Sequence, residues 1–149
     1  MIPLREQEYI KQKFAAELSG GVRIDYFTQR PSPLYVPGRE ECVYCEDVRV
    51  MLEELAALSD KITLTVREFS QEREAAAKLG IDRIPGMVIR GAANRPLKFY
   101  GIPAGHEFPG LIDDIVDASR GKVDLKLETV RALKKLKSDV SIQVFVTPT

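Results

Sequence analysis

Cys42-Val43-Tyr44-Cys45 holds the only two cysteines of the chain, at a spacing that lets two thiols close a small disulfide ring. The residues after it turn periodic: Val48, Met51, Leu52, Leu55 and Leu58 fall on one face at helical spacing. Cys42 is therefore expected at or just before a helix N-terminus, where unpaired backbone N–H groups and the helix dipole favour an anion. A thiol placed there loses its proton below the free value of about 8.5, and the thiolate is the reactive species. In a chain that alternates strands and helices, Cys-x-x-Cys is a redox signature.

Upstream, residues 4 to 18 read as an amphipathic helix, with Ile10, Phe14 and Leu18 in i, i+4 register and Gly20-Gly21 as a stop. Residues 22 to 28 alternate and are rich in β-formers, so they predict a strand. From Gln29 to Gly38 the sequence carries three prolines and a glycine, a loop on turn chemistry alone. Downstream of the Cys42 helix, residues 62 to 69 are the clearest alternating strand. Residues 71 to 79 predict a short helix closed by Gly80 in the C′ position. A strand over 84 to 90 turns at 91 to 94 into a short strand over 97 to 100, an antiparallel hairpin. Phe108, Leu111, Ile112, Ile115 and Val116 then describe a helix that ends near Gly121.

Strands separated by helices predict parallel pairs, with the late hairpin adding an antiparallel edge. The expected fold class is α/β, a mixed central sheet flanked by helices. A sheet of this kind carries its site beyond a strand's carboxyl end, where the next helix starts. Cys42 falls there. Residues 1–121 form this unit. In 122–149 a further amphipathic helix is expected over 124 to 136, then a strand over 140 to 146. Residues 22–28 and 140–147 are both apolar strands ending in threonine after an amphipathic helix, as if a second copy of the unit were opening.

At 149 residues, the chain suits one domain with a substantial core. Lysine plus arginine equals aspartate plus glutamate at 22 each, so charge gives no reason to expect nucleic acid or a membrane as partner. The start of the chain has no apolar signal segment. The reading is a cytoplasmic protein, where a disulfide is more often catalytic than a permanent staple. High charge content and short connections point towards a thermophile.

Taken together, several stretches resemble a known family. They are Cys42-Val-Tyr-Cys45, residues 53 to 64, Gly80-Ile-Asp-Arg-Ile-Pro85, Phe99-Tyr-Gly-Ile-Pro-Ala-Gly-His-Glu-Phe108 and Val144-Phe-Val-Thr-Pro-Thr149. They are similar to the N-terminal half of the archaeal and thermophilic protein disulfide oxidoreductases, glutaredoxin-like proteins of two tandem thioredoxin folds. The resemblance implies a thioredoxin-like fold, followed by the first helix and strand of a second such unit. It implies thiol–disulfide exchange with disulfide-containing protein substrates, restored by an electron-donor reductase and needing no cofactor. Cys42 would attack and Cys45 resolve. Pro85 would be a cis-proline facing the pair, with Ile84 and Gly86 beside it in the substrate groove. Three departures stand out: the 29–41 loop is longer than the family's, Gly86 replaces a small side chain and so loosens the groove, and the second unit is represented only by its opening.

Other residues carry two readings each. By resemblance, Asp25 matches the buried aspartate that assists proton transfer to the resolving thiol, and a desolvated carboxylate can hold a proton near neutrality. The plain alternative is a solvent-facing strand residue. Tyr44 resembles a groove-rim tyrosine or is simply an aromatic at an exposed helix start. Glu41 and Glu46 flank the motif, either tuning the thiols or merely solvated. His106 reads as surface or capping, and the basic run from Arg131 to Lys137 as the wet face of its helix.

Two rival functions stay open. One is a non-catalytic peptide-binding or docking module with poorly reactive cysteines. The other is a dimeric iron–sulfur-binding, glutaredoxin-like domain. A closed structural zinc site takes four ligands, and with two cysteines and a distant lone His106 the chain cannot supply the usual set alone. Finally, an uncovered apolar strand at 140–146 invites pairing with a second copy.

Overall fold

A computed structural model describes residues 2–145 apart from 33, 35, 36, 39, 93, 94, 123 and 124. The alternation at 22–28 becomes the central strand β1 (Val22–Thr28), preceded by helix α1 (Leu4–Glu17). Helix α2 (Cys45–Ala57) leads to β2 (Ile62–Glu68), and α3 (Arg73–Leu79) to β3 (Gly86–Arg90). The hairpin strand β4 (Leu97–Tyr100) and helix α4 (Glu107–Arg120) complete the unit, with α5 (Leu127–Leu133) beyond it.

The sheet order is β2-β1-β3-β4. β1 runs parallel to β2, with Ile24 opposite Leu64, and antiparallel to β3, with Ile24 opposite Ile89. β3 and β4 form the expected antiparallel hairpin. The expectation that every strand pair bridged by a helix is parallel therefore fails at β3. The short helix α3 does not return the chain beside β2. It carries it across the sheet to the far side of β1, where β3 enters in the reverse direction. Gly80, with φ of 67°, ends α3 in the left-handed conformation that glycine adopts without steric cost.

Because successive strand side chains point to opposite faces, the two sides of the sheet divide cleanly. Ile24, Tyr26, Met87 and Ile89 face the larger core, packed with Phe14 of α1, Leu52 and Leu55 of α2, and Ile115 of α4. Phe27 and Val88 face the smaller core, with Ala76 of α3 and Ile81. Of the apolar stripe read for α2, Val48, Met51, Leu52 and Leu55 are buried, while Leu58, at the helix C-cap, is half-buried against the same core.

Beyond Gly121 the structure departs from expectation. α5 is shorter than the predicted 124–136 and buries none of its residues. Residues 140–145 form no strand and are exposed; Val146, the end of the expected strand, lies outside the described residues. Alternation alone does not make a strand. It needs a ladder partner for its N–H and C=O groups, and none reaches this segment among the described residues.

Candidate redox site

Cys42 and Cys45 are joined by a disulfide, with Cα atoms 5.4 Å apart. The motif leaves the end of the β1–α2 loop and enters α2, whose first helical residue is Cys45. Cys42 thus lies just before the helix, as its spacing predicts, and the Cys45 N–H turns back to the Cys42 carbonyl at 3.4 Å. No side chain caps α2. The two sulfur-bearing residues are placed unequally: Cys45 is 1% exposed, while Cys42 is only half-buried.

Two side chains from the C-terminal end of β1 hold the motif, and neither is legible in the sequence. The Tyr26 hydroxyl donates to the Cys45 carbonyl at 2.7 Å. Burial pushes the Tyr26 phenol up to about 12, so it stays a donor throughout the range in which thiols titrate. Gln29 Oε1 accepts the backbone N–H of Cys42 at 2.9 Å, and Gln29 Nε2 donates to the Glu40 carbonyl at 3.2 Å. No pattern in a sequence announces a side-chain bond across a proline-rich loop.

Asp25 is neither of the things expected of it. It is not solvent-facing, being 3% exposed. It is not under the thiols either: Tyr26 points to the α2 side of the sheet, so Asp25, its strand neighbour, points to the other. There its carboxylate accepts from Arg67 Nε at 2.9 Å and from the Arg90 guanidinium. Arg67 and Arg90 come from the strands on either side of β1, so the carboxylate ties three strands together.

The Ile84–Pro85 peptide bond is cis, as the resemblance implied. The Pro85 carbonyl accepts the Gly101 N–H at 2.9 Å, anchoring the start of β3. Ile84 is half-buried and packs on the α3-side core. Gly86 does not loosen a groove. It sits opposite Phe27, and a methyl group added to it would come within 2.7 Å of the Arg83 carbonyl oxygen and 3.2 Å of Ile81 and Tyr100. Its missing side chain is required by the packing behind the strand, on the face away from Cys45.

Around the disulfide, Val43 and Tyr44 are exposed, at 78% and 51%. A pocket of about 310 Å³ adjoins Cys42, lined by Gln29, Pro31 and Ser32 on one side and Glu41, Cys42 and Val43 on the other. Glu46, one residue into α2 from Cys45, is held below the usual carboxylate range by the hydrogen-bonded Arg49 guanidinium. His106 stands at the start of α4 without a side-chain capping bond, and the residues from Arg131 to Lys137 are exposed. Among the described residues no group of three or more His, Cys, Asp or Glu side chains could hold a metal ion. No described helix is long and apolar enough to cross a membrane.

No protein-family model matches the chain. It is 28% identical over 95 residues to an alkyl hydroperoxide reductase component of Xanthomonas campestris pv. phaseoli, a match that covers 64% of this chain and 16% of that protein. Among solved structures, the alkylhydroperoxide reductase AhpF of Enterococcus faecalis superposes with a TM-score of 0.72 at 23% identity, over 91% of this chain and 61% of that chain. A protein disulfide oxidoreductase from Aeropyrum pernix K1 superposes equally well, with a TM-score of 0.72 at 20% identity, over 91% of this chain and 55% of that chain. The fold is thioredoxin-like, a mixed four-stranded sheet flanked by helices. The chain spans 16% of the length of the curated relative it matches.

Proposed function

We propose that this chain is a thiol–disulfide oxidoreductase that exchanges disulfides with protein substrates through Cys42 and Cys45. The observation that carries the reading is the asymmetry of the pair: a half-buried Cys42 before an uncapped helix, and a buried Cys45 bonded to it. In the reduced protein, first-turn N–H groups that no side chain caps favour a Cys42 thiolate. That thiolate attacks one sulfur of a substrate disulfide, forming a mixed disulfide and expelling the other substrate sulfur as thiolate. Cys45 then gives up its proton and attacks the Cys42 sulfur. This step forms the Cys42–Cys45 bond and expels the second substrate thiolate. Two electrons have passed to the substrate, and a dithiol donor or reductase must return them to the protein. Tyr44, Ile84 and Pro85 are read as edging the substrate approach. Similarity to an alkyl hydroperoxide reductase component and to a disulfide oxidoreductase supports this assignment.

The same reading extends to the tail. The share of the chain aligned with the two solved structures, 91%, is larger than residues 1–121 alone would make, so part of 122–149 aligns as well. This supports residues 122–149 as the opening of a second thioredoxin-like unit. Exposed Val140, Ile142, Val144 and Phe145 would pair there with further strands, or with a second copy of the chain. We place the protein in the cytoplasm on the redox logic of a catalytic disulfide.

The test is pH-resolved alkylation of the reduced protein, with each cysteine quantified separately by peptide mass. Cys42 modified as a thiolate well below about 8.5, with Cys45 resistant, is the expected result. Two ordinary or two unreactive thiols would leave this unit a scaffold without exchange chemistry.

A further inference from the structure

The loop between β1 and the motif has no counterpart in the chemistry above, yet its two described limbs, residues 29–32 and 40–42, meet at one side chain. Gln29 follows the last residue of β1 and reaches both Cys42 and Glu40. Its carboxamide can satisfy this arrangement in one orientation only. A backbone N–H must meet the amide oxygen, and a backbone carbonyl must meet the amide nitrogen. The acceptor end fixes Cys42, the less buried residue of the pair, and the donor end fixes the chain two residues before it. The pocket of about 310 Å³ beside Cys42 has Gln29 as part of its wall, with Pro31 and Ser32 next to it.

We propose that Gln29 is a positioning residue for Cys42: it latches the limbs of the proline-rich loop together and holds the attacking thiol at the mouth of the pocket that receives the substrate chain beside its cystine. This rests on the thiol–disulfide exchange reading. The Cys42 N–H sits on the same residue as the attacking sulfur, so pinning it limits the backbone rotation that would swing the sulfur out of line with a substrate disulfide.

Two substitutions at this position separate its two ends. Gln29→Met keeps length and removes both hydrogen bonds. Gln29→Glu keeps an acceptor for the Cys42 N–H, discards the donor to Glu40 and adds a negative charge near the sulfur. The measurements are the rate of reduction of a cystine-containing peptide, the Cys42 alkylation profile against pH, and exchange of the Cys42 amide proton. For Gln29→Met we expect a loss of roughly three- to tenfold in rate, persisting after correction for thiolate fraction, with the unfolding midpoint lowered only modestly, one lost bond being part-buried and the other exposed. For Gln29→Glu the alkylation midpoint of Cys42 should move up, because a like charge disfavours the thiolate. A Gln29→Met rate equal to wild type overturns the proposal, whatever the glutamate variant does. If the wild-type protein proves inactive, the exchange reading fails separately, and amide exchange still decides the latch. Faster Cys42 exchange in Gln29→Met supports it, and unchanged exchange sinks it.

Discussion

The Tyr26 hydroxyl donates to the backbone carbonyl of Cys45 across 2.7 Å, from a ring with no solvent exposure. One strand end therefore holds both ends of the motif, Tyr26 at the buried cysteine and Gln29 at the half-buried one. The inner hydrogen bond is buried and the outer one part-buried. Their loss should have different signatures.

Removing the inner bond with Tyr26→Phe leaves the ring packing intact and should lower stability by about 1 kcal/mol. The pH dependence is more telling. The folded-state phenol is raised to about 12 from an ordinary value near 10. Above pH 10 the unfolded chain loses a proton that the folded chain keeps, so stability falls as pH rises from about 10 towards 12. Denaturant melts at pH 8 and pH 11 should show that decline in the wild type and a shallower one in Tyr26→Phe. Identical slopes would mean that the buried phenol is not the group responsible.

Asp25→Asn tests the opposite face of the sheet. The Asp25 side chain is 4% exposed, and its carboxylate is shared by Arg67 and Arg90, whose side chains are 28% and 39% exposed. Breaking a fully buried pair costs about 3–5 kcal/mol, and the partial exposure of both guanidinium groups should bring this nearer 2 kcal/mol. The rate of disulfide exchange by the folded variant should stay within about twofold of wild type, because no atom of this cluster faces the thiols. A large rate loss at unchanged stability would return Asp25 to a proton-transfer role. Urea melts and peptide-disulfide reduction, run on the same sample, distinguish the two.

What the sequence shows and what it hides follow from the range of the interactions. The α2 stripe of Val48, Met51, Leu52 and Leu55 is a local periodicity, and it is buried as read. The position of Cys42 ahead of that helix is equally local. The direction of β3 is not: seven residues of α3 sit as well before an antiparallel strand as before a parallel one, and only pairing with β1 decides. The place of Asp25 is hidden because residues 22–28 are almost wholly buried, so polarity no longer marks the wet face. Its partners, Arg67 and Arg90, lie on other strands. The tail misleads in the other direction. The alternation of Val140, Ile142 and Val144 is strand-like, but a strand is a property of two segments.

Gly86 should tolerate no side chain. Gly86→Ala places a methyl group 2.7 Å from the Arg83 carbonyl, a backbone atom that cannot swing away as a side-chain tip could. Overpacking of this kind costs about 1–3 kcal/mol. The expected result is a lower unfolding midpoint with Cys42 alkylation unaltered, since the added methyl lies on the α3 side of the sheet. Unchanged stability would show that the turn before β3 yields easily, and that the packing behind the strand does not require glycine.

The order of attack can be caught directly. With Cys45→Ser the protein should form a mixed disulfide with a cystine peptide and stop, because the second thiol is missing and no intramolecular bond can close. The adduct should map to Cys42 by peptide mass and release the peptide on adding a small dithiol. With Cys42→Ser the buried Cys45, 1% exposed, should form adduct at least about tenfold more slowly. Equal trapping by the two variants would mean that burial does not set the roles, and that the asymmetry of the pair is not what directs exchange. Trapping through Cys42 alone would make the half-buried residue the attacker and leave Cys45, held from behind by Tyr26, to close the ring.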